Sequence, residues 1–241
     1  RRWKAHVGRT ERDHTRRSAL TELGNGLADA KHHEDALSVG EATLSLLRRI
    51  GAPEERMLIV RGNLACTYGE LGRHEEAMRI RRDVYSGALK LRGESHEGTF
   101  VEAINYASSL RKARHFAEAK SLMRKTIPVA RGALGKDDTI TLRMRWVYAQ
   151  ALYADTGGTL DDLREAVETL EETARTARRV FGGTHPLTKG IVGDLRDARA
   201  ALRTREWGPL VLAVAIAVVG WVSGARFFAV ALVVFTWLWR R

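Results

Sequence analysis

Histidine and cysteine are the side chains most often recruited as metal ligands, general bases and nucleophiles, and this sequence holds eight of the first and one of the second. Their spacing argues against that chemistry. His32-His33 and His74 fall in short turns between helical stretches and His185 in a longer linker, so a solvated structural role is expected for them. No HExxH, GxxxxGK or GxSxG occurs, so the zinc-protease, phosphate-loop and hydrolase-elbow arrangements have no footing. Cys66, the single cysteine, permits neither an internal disulfide framework nor a cysteine-based zinc cluster, and fits a reducing compartment. It follows Ala65 on a helical stretch and reads as a small packing or surface residue. Asp161 and Asp162 stand side by side in a loop with no identifiable partner. No catalytic, cofactor-binding or metal-binding residue is expected, and the chain is read as not an enzyme.

The elements that carry these residues repeat. Leu64-Ala65, Tyr106-Ala107 and Tyr148-Ala149 follow one another at 42 residues. Glu76-Ala77 returns 42 residues on as Glu118-Ala119, then as Glu165-Ala166 after 47, the excess lying in the loop at 156–162. Gly93 returns as Gly135 and Thr99 as Thr141, while Leu23-Gly24 and Asp35-Ala36 precede the series by 41. Several landmarks sharing one period define a repeat architecture. Within a period, apolar residues recur at helical spacing in two stretches separated by a turn. Leu64, Ala65 and Tyr68 mark the first helix, with Leu23, Gly24 and Leu27 in the same places one repeat earlier. Ala77, Ile80, Val84 and Leu91 mark the inner stripe of the second, matched by Ala119, Leu122 and Thr126 and by Ala166, Leu170 and Ala174. The small residue, Gly24, Ala65, Ala107 or Ala149, belongs where two helices approach too closely for a larger side chain. Pro128 falls inside a second helix and is expected to kink it.

The Leu-Ala-x-x-Tyr run at 64–68 and the Glu-Ala step at 76–77 resemble the tetratricopeptide repeat. The long period, N-L-A at 63–65, and the linkers LRGESHEGT (91–99), ALGKDDTIT (133–141) and FGGTHPLT (181–188) resemble its kinesin light chain subtype. The resemblance covers residues 18–190 and implies an all-α, right-handed superhelical solenoid of helix pairs. The repeats are placed at about 18–52, 57–93, 99–135 and 141–183. A preceding helix or linker is placed at 1–17, a capping helix at 191–206 and a hydrophobic segment at 207–239. Val147 departs from the Asn that Asn63 and Asn105 supply, and no heptad coiled coil is present in the sequence given. The motor-adaptor role is therefore not carried over with the fold.

The resemblance also implies a binding surface, since in this class the first helices line a concave groove that takes peptides. Residues one place after the small position, Asn25, Cys66, Ser108 and Gln150, are placed on it, with Asn63 and Asn105 two places before. Asn63 and Asn105 carry amides suited to a peptide backbone. Arg111, Lys112, Arg143 and Tyr153 lie nearby, and the three cations are expected to converge and favour acidic peptides.

Charge and hydropathy extend this reading. The net charge is +11, from 40 Lys and Arg against 29 Asp and Glu, but the cations are interleaved with acids and no nucleic-acid motif accompanies them. Protein or peptide partners are expected, not nucleic acid. The opening RRWKAHVGRTERDHTRR lacks the apolar core of a secretory signal. The chain begins at Arg1 and is read as part of something longer. Gly208-Pro209 is expected to end the cap, and Trp207 to Trp239 contains one charge, Arg226. That run passes the length of about 18 apolar residues at which a membrane helix is considered. Membrane association through 207–239 with the repeats in the cytosol is the leading expectation. A soluble, cytoplasmic adaptor of kinesin light chain type is the other.

Overall fold

The computed structural model describes residues 14–222, and every regular element among them is helical. They fall into two compact units, divided between Ala154 and Asp155.

The first unit contains α1 (His14–Asp29), α2 (His33–Arg49), α3 (Glu54–Glu70), α4 (His74–Arg92), α5 (Glu97–Lys112), α6 (Phe116–Leu134) and α7 (Thr139–Tyr153). Each helix packs on the next, and α5 also packs on α7 and α1 on α3. Contacts therefore run between neighbours in sequence, as repeat stacking requires. The predicted landmarks form the core: Leu64, Tyr106 and Tyr148 are buried, as are Ala65, Ala107 and Ala149. On α6 the inner stripe runs through Ala119, Met123 and Ala130, with Leu122 and Thr126 only half-buried.

Backbone geometry repeats with the sequence. Lys31, Gly72 and Arg114 occupy equivalent turns inside successive pairs, each with φ between 63° and 75°. Gly93 and Gly135 close second helices at φ of 84° and 96°, in the left-handed region that glycine enters without steric cost. Helix starts are capped alike. His96 accepts from the Gly98 N–H at 3.0 Å through Nδ1, and Asp138 accepts from the Ile140 N–H at 2.7 Å.

The second unit is a helical hairpin of α8 (Leu160–Phe181) and α9 (Pro186–Val222). Thr159 and Asp162 form a reciprocal capping box at the start of α8. Ala166, Leu170 and Ala174 are buried, as expected, and Ile191, Leu195 and Ala198 of α9 are buried too.

Four expectations are corrected. Leu23, read as inward-facing, is 42% exposed. Leu91, also assigned to an inner stripe, is half exposed, because α4 ends one residue later and offers no further turn for it to pack on. Gly208-Pro209 does not end the cap, since α9 runs through both to Val222. An apolar run can carry a helix across the donor that proline lacks. Finally, no helix among the described residues is long and apolar enough to cross a membrane. The remainder of the expected 207–239 segment lies outside the described residues, as does most of 1–17.

Candidate functional site

The face of α4 that turns inward reads Ala77, Met78, Arg81, Val84, Ala88, so an arginine stands in an apolar stripe. A buried guanidinium needs room and partners. Gly62 on α3 gives the room, because a Cβ there would lie 3.3 Å from Arg81 Nη1. The partners come from both neighbouring helices. Arg81 Nη2 donates to Cys66 Sγ of α3 at 2.8 Å, and Nη1 donates to Glu102 Oε2 of α5 at 3.3 Å. Glu102 accepts a second bond, from Asn105 Nδ2 at 3.3 Å. Cys66, Arg81, Glu102 and Asn105 thus form one polar chain across three consecutive helices. Sequence reading passed over Arg81, although an arginine four residues after Ala77 and three before Val84 was its signal.

A cavity of about 160 Å³ opens over this chain, lined among others by Cys66, His74, Arg81, Asn105, Ser108 and Lys112. Four expected groove residues, Cys66, Asn105, Ser108 and Lys112, therefore meet at one place. Lys112 Nζ stands 4.0 Å from Glu70 Oε1, with both side chains largely exposed, a contact of little energetic weight. Arg111 is half-buried, and its Nε is buried with no hydrogen-bond partner. A second cavity, about 330 Å³, lies over α1, α2 and α3 and is lined by Asn25, Asn63 and Cys66 among others. There Asn63 Nδ2 donates to Asn25 Oδ1 at 2.9 Å. Cys66 lines both cavities.

Arg111, Arg143, Gln150 and Tyr153 line neither of these cavities. Arg143 is exposed near the start of α7, whereas Arg111 and Lys112 occupy the last turn of α5. His33 and His74, expected to be solvated, are half-buried, each with Nδ1 buried and unpartnered.

Tyrosines tie the elements around the cavities together. The Tyr106 hydroxyl donates to Glu118, and burial followed by that carboxylate pushes its pKa far up. It therefore stays a donor at any physiological pH. Tyr68 donates to Glu41 at 2.9 Å, with its pKa also raised by burial and then by Glu41. The Arg73 guanidinium sits 4.5 Å from the Tyr68 ring centroid. His115 Nε2 meets Glu75 Oε1 at 3.0 Å, joining the turn between α5 and α6 to the first turn of α4. Among the described residues no three His, Cys, Asp or Glu side chains gather as a metal site. The cavity over Arg81 offers hydrogen-bond donors and two cations, a setting for acceptor-rich ligands.

Residues 58–97 match the tetratricopeptide repeat family. No curated protein matches the chain. Among solved structures, the nearly identical TPR-like repeats of a kinesin light chain assignment from Podosopora anserina are similar. A form of them with one glutamine replaced by methionine superimposes with a TM-score of 0.67 at 18% identity, covering 87% of this chain and 97% of that one. The form without that change gives 0.65 at 19%, covering 85% and 95%. BtubC (BKLC) from P. vanneervenii gives 0.53 at 12%, covering 78% and 81%. At these identities what is shared is the fold.

Proposed function

We propose that this chain, whose residues 58–97 match the tetratricopeptide repeat family and whose fold is shared with kinesin-light-chain TPR-like repeats, is a non-catalytic scaffold binding peptide segments of partner proteins. The observation that carries the reading is the cavity over α3, α4 and α5. It gathers Asn105, Ser108 and Lys112 around a guanidinium already held by Glu102 and Cys66. Arg81 and Lys112 bring positive charge to the cavity, and Arg111 adds a half-buried cation beside Lys112 in sequence. Acidic segments are therefore the favoured ligands, with Asn105 and Ser108 pairing to the peptide backbone. A peptide array followed by fluorescence anisotropy tests this. Acidic peptides should bind best and weaken with salt, since screening acts over about 10 Å at 0.1 M. Arg111→Glu should lower their affinity, and a preference for basic peptides, or no change in this variant, would overturn the reading.

Attachment to a lipid surface through α9 is the second part of the proposal. Trp207, Leu210, Val211, Val214 and Ile216 are each 40% or more exposed, a concentration of apolar surface that favours a partner phase other than water. The full chain should float with phospholipid vesicles at neutral pH. Recovery in the soluble fraction would favour the soluble adaptor instead.

A further inference from the structure

The hairpin of α8 and α9 carries a groove of about 570 Å³ whose walls are basic. Arg175 and Arg178 line it from α8, and Arg196, Arg199 and Arg203 from α9. On each helix the spacing is three, four or seven residues, so each set occupies one face. Glu171 is the one acid lining the groove, and it is taken by Arg199 at 2.6 Å. Arg196 has only its exposed neighbour Asp197, at 3.5 Å. Glu206 is engaged by Arg164 at 3.1 Å, and Arg205 donates to the Thr156 and Gly158 carbonyls. Among the described residues no carboxylate pairs with Arg175, Arg178 or Arg203. So much uncompensated positive charge in one groove calls for an anionic occupant.

A second, independent observation points to which anion. The α9 stripe that begins at Arg196, Arg199 and Arg203 continues, at the same spacing, through Trp207, Leu210 and Val214. One helix face therefore changes from arginine to tryptophan to aliphatic along its length, and the last three are 58%, 40% and 55% exposed. At 1.5 Å per residue, Leu210 and Val214 stand about 10 and 16 Å beyond Arg203 along the axis. Charge first, an aromatic next and aliphatic side chains last is the order of headgroup, interface and acyl chain. An acidic polypeptide would match the arginines but would leave the aliphatic end of the same face in water.

We propose that the arginine groove between α8 and α9 binds anionic lipid headgroups, seating α9 in a lipid surface with Trp207 at the boundary. The proposal rests on the lipid attachment read above and adds to it a headgroup class and the residues that select it. Arg175, Arg178 and Arg203 hold the lipid charge, while Arg199 stays fixed by Glu171.

Flotation of the full chain with vesicles tests it, using phosphatidylcholine alone and an equal mixture with phosphatidylglycerol. Binding should be much stronger to the mixture and should fall as salt is raised. The variant R175Q/R178Q/R203Q, with its helical content verified by circular dichroism, should bind the mixture on the order of a hundredfold more weakly. Its binding to phosphatidylcholine should not change. Equal binding of the parent to both vesicle types, with the variant unaffected, would overturn the proposal while leaving lipid attachment intact. Flotation with neither would remove the attachment itself and the proposal with it. Binding of polyglutamate by the full chain at matched ionic strength, with no preference for the mixed vesicles over phosphatidylcholine, would show that an acidic peptide is the occupant, and would also overturn it.

Discussion

Replacing Arg81 by Met removes a buried charge but keeps most of the stem that packs in the α4 stripe. The side chain is 9% exposed and its partner Glu102 22% exposed. Removing one member of a fully buried ion pair costs about 3–5 kcal/mol, because the other is stranded. Glu102 keeps some access to water and a bond from Asn105, so the figure belongs below that range. We expect about 2–3 kcal/mol, which includes the charge-assisted bond to Glu102 and the contact with Cys66 Sγ. For a chain of this size that is a fall in melting temperature of roughly 4–12 °C. Guanidinium unfolding followed by far-UV circular dichroism gives the cleaner number, because stacked repeats need not melt as one unit. The decisive comparison is a double-mutant cycle. Arg81→Met with Glu102→Leu should lose less than the two single changes added together, by about 1–2 kcal/mol, since no carboxylate is then stranded. A neutral or stabilising Arg81→Met, or strict additivity in the cycle, would refute the claim that this pair ties α4 to α5.

The equivalent turns at Lys31 and Gly72 should respond with opposite signs. Lys31→Gly relieves a left-handed residue worth about 1–2 kcal/mol, less the chain entropy glycine adds, for a net gain near ~0.5 kcal/mol. Gly72→Ala should lose about 1 kcal/mol, and urea midpoints moving the same way in both would contradict the turn geometry. Asp138→Ala should cost about 1 kcal/mol by removing the cap of α7, whereas His96→Asp should gain a few tenths at the matching position of α5, both read by denaturant unfolding. Ala107→Phe, at a position with no exposed surface, should destabilise by about 3 kcal/mol or more through overpacking. An unchanged unfolding midpoint would mean that the α5 register is wrong.

What could be read from sequence was what repeats. Ala65, Ala107 and Ala149 are legible because close helix contact excludes larger side chains each time it recurs, and all three are buried. Leu64, Tyr106 and Tyr148 share a position because each fills the same recurring buried site, although their chemistry differs. Residues whose environment occurs once were not legible. Leu23 has the type of Leu64 without its burial, and Arg81 has an apolar position in the stripe and a charged side chain. Its site depends on Gly62 and Glu102, 19 residues before it and 21 after, a coincidence no single-helix pattern contains. Pro209, expected to end the cap, fails as punctuation for a related reason, whereas Pro128, expected within its helix, is found there. Pro128 is exposed within α6 and Pro209 lies inside α9, and both helices continue past them. Local propensity is a weak prior where packing along the rest of a helix sustains it.

The same distinction bears on the groove. Sequence placed Asn25, Asn63 and Asn105 there, the last two as amides suited to a peptide backbone. Asn25 and Asn63 instead bond each other across α1 and α3, and Asn105 bonds Glu102 within α5. An amide that joins two helices is held in one rotamer, which leaves its second N–H oriented rather than absent. These residues are thus ties first, and any hydrogen bond they offer a ligand is pre-set by the tie. Arg111 and Lys112 differ, because each offers a ligand a full positive charge and not an amide already committed to a tie. Binding free energy should then concentrate at the C-terminal end of α5, around Arg111 and Lys112, and not be spread evenly along the row of asparagines. Arg143, near the start of α7, would stand apart from that centre, so Arg143→Glu should disturb peptide binding less than Arg111→Glu in the same anisotropy assay. Equal losses from the two would return the three cations to the convergent arrangement that sequence alone proposed.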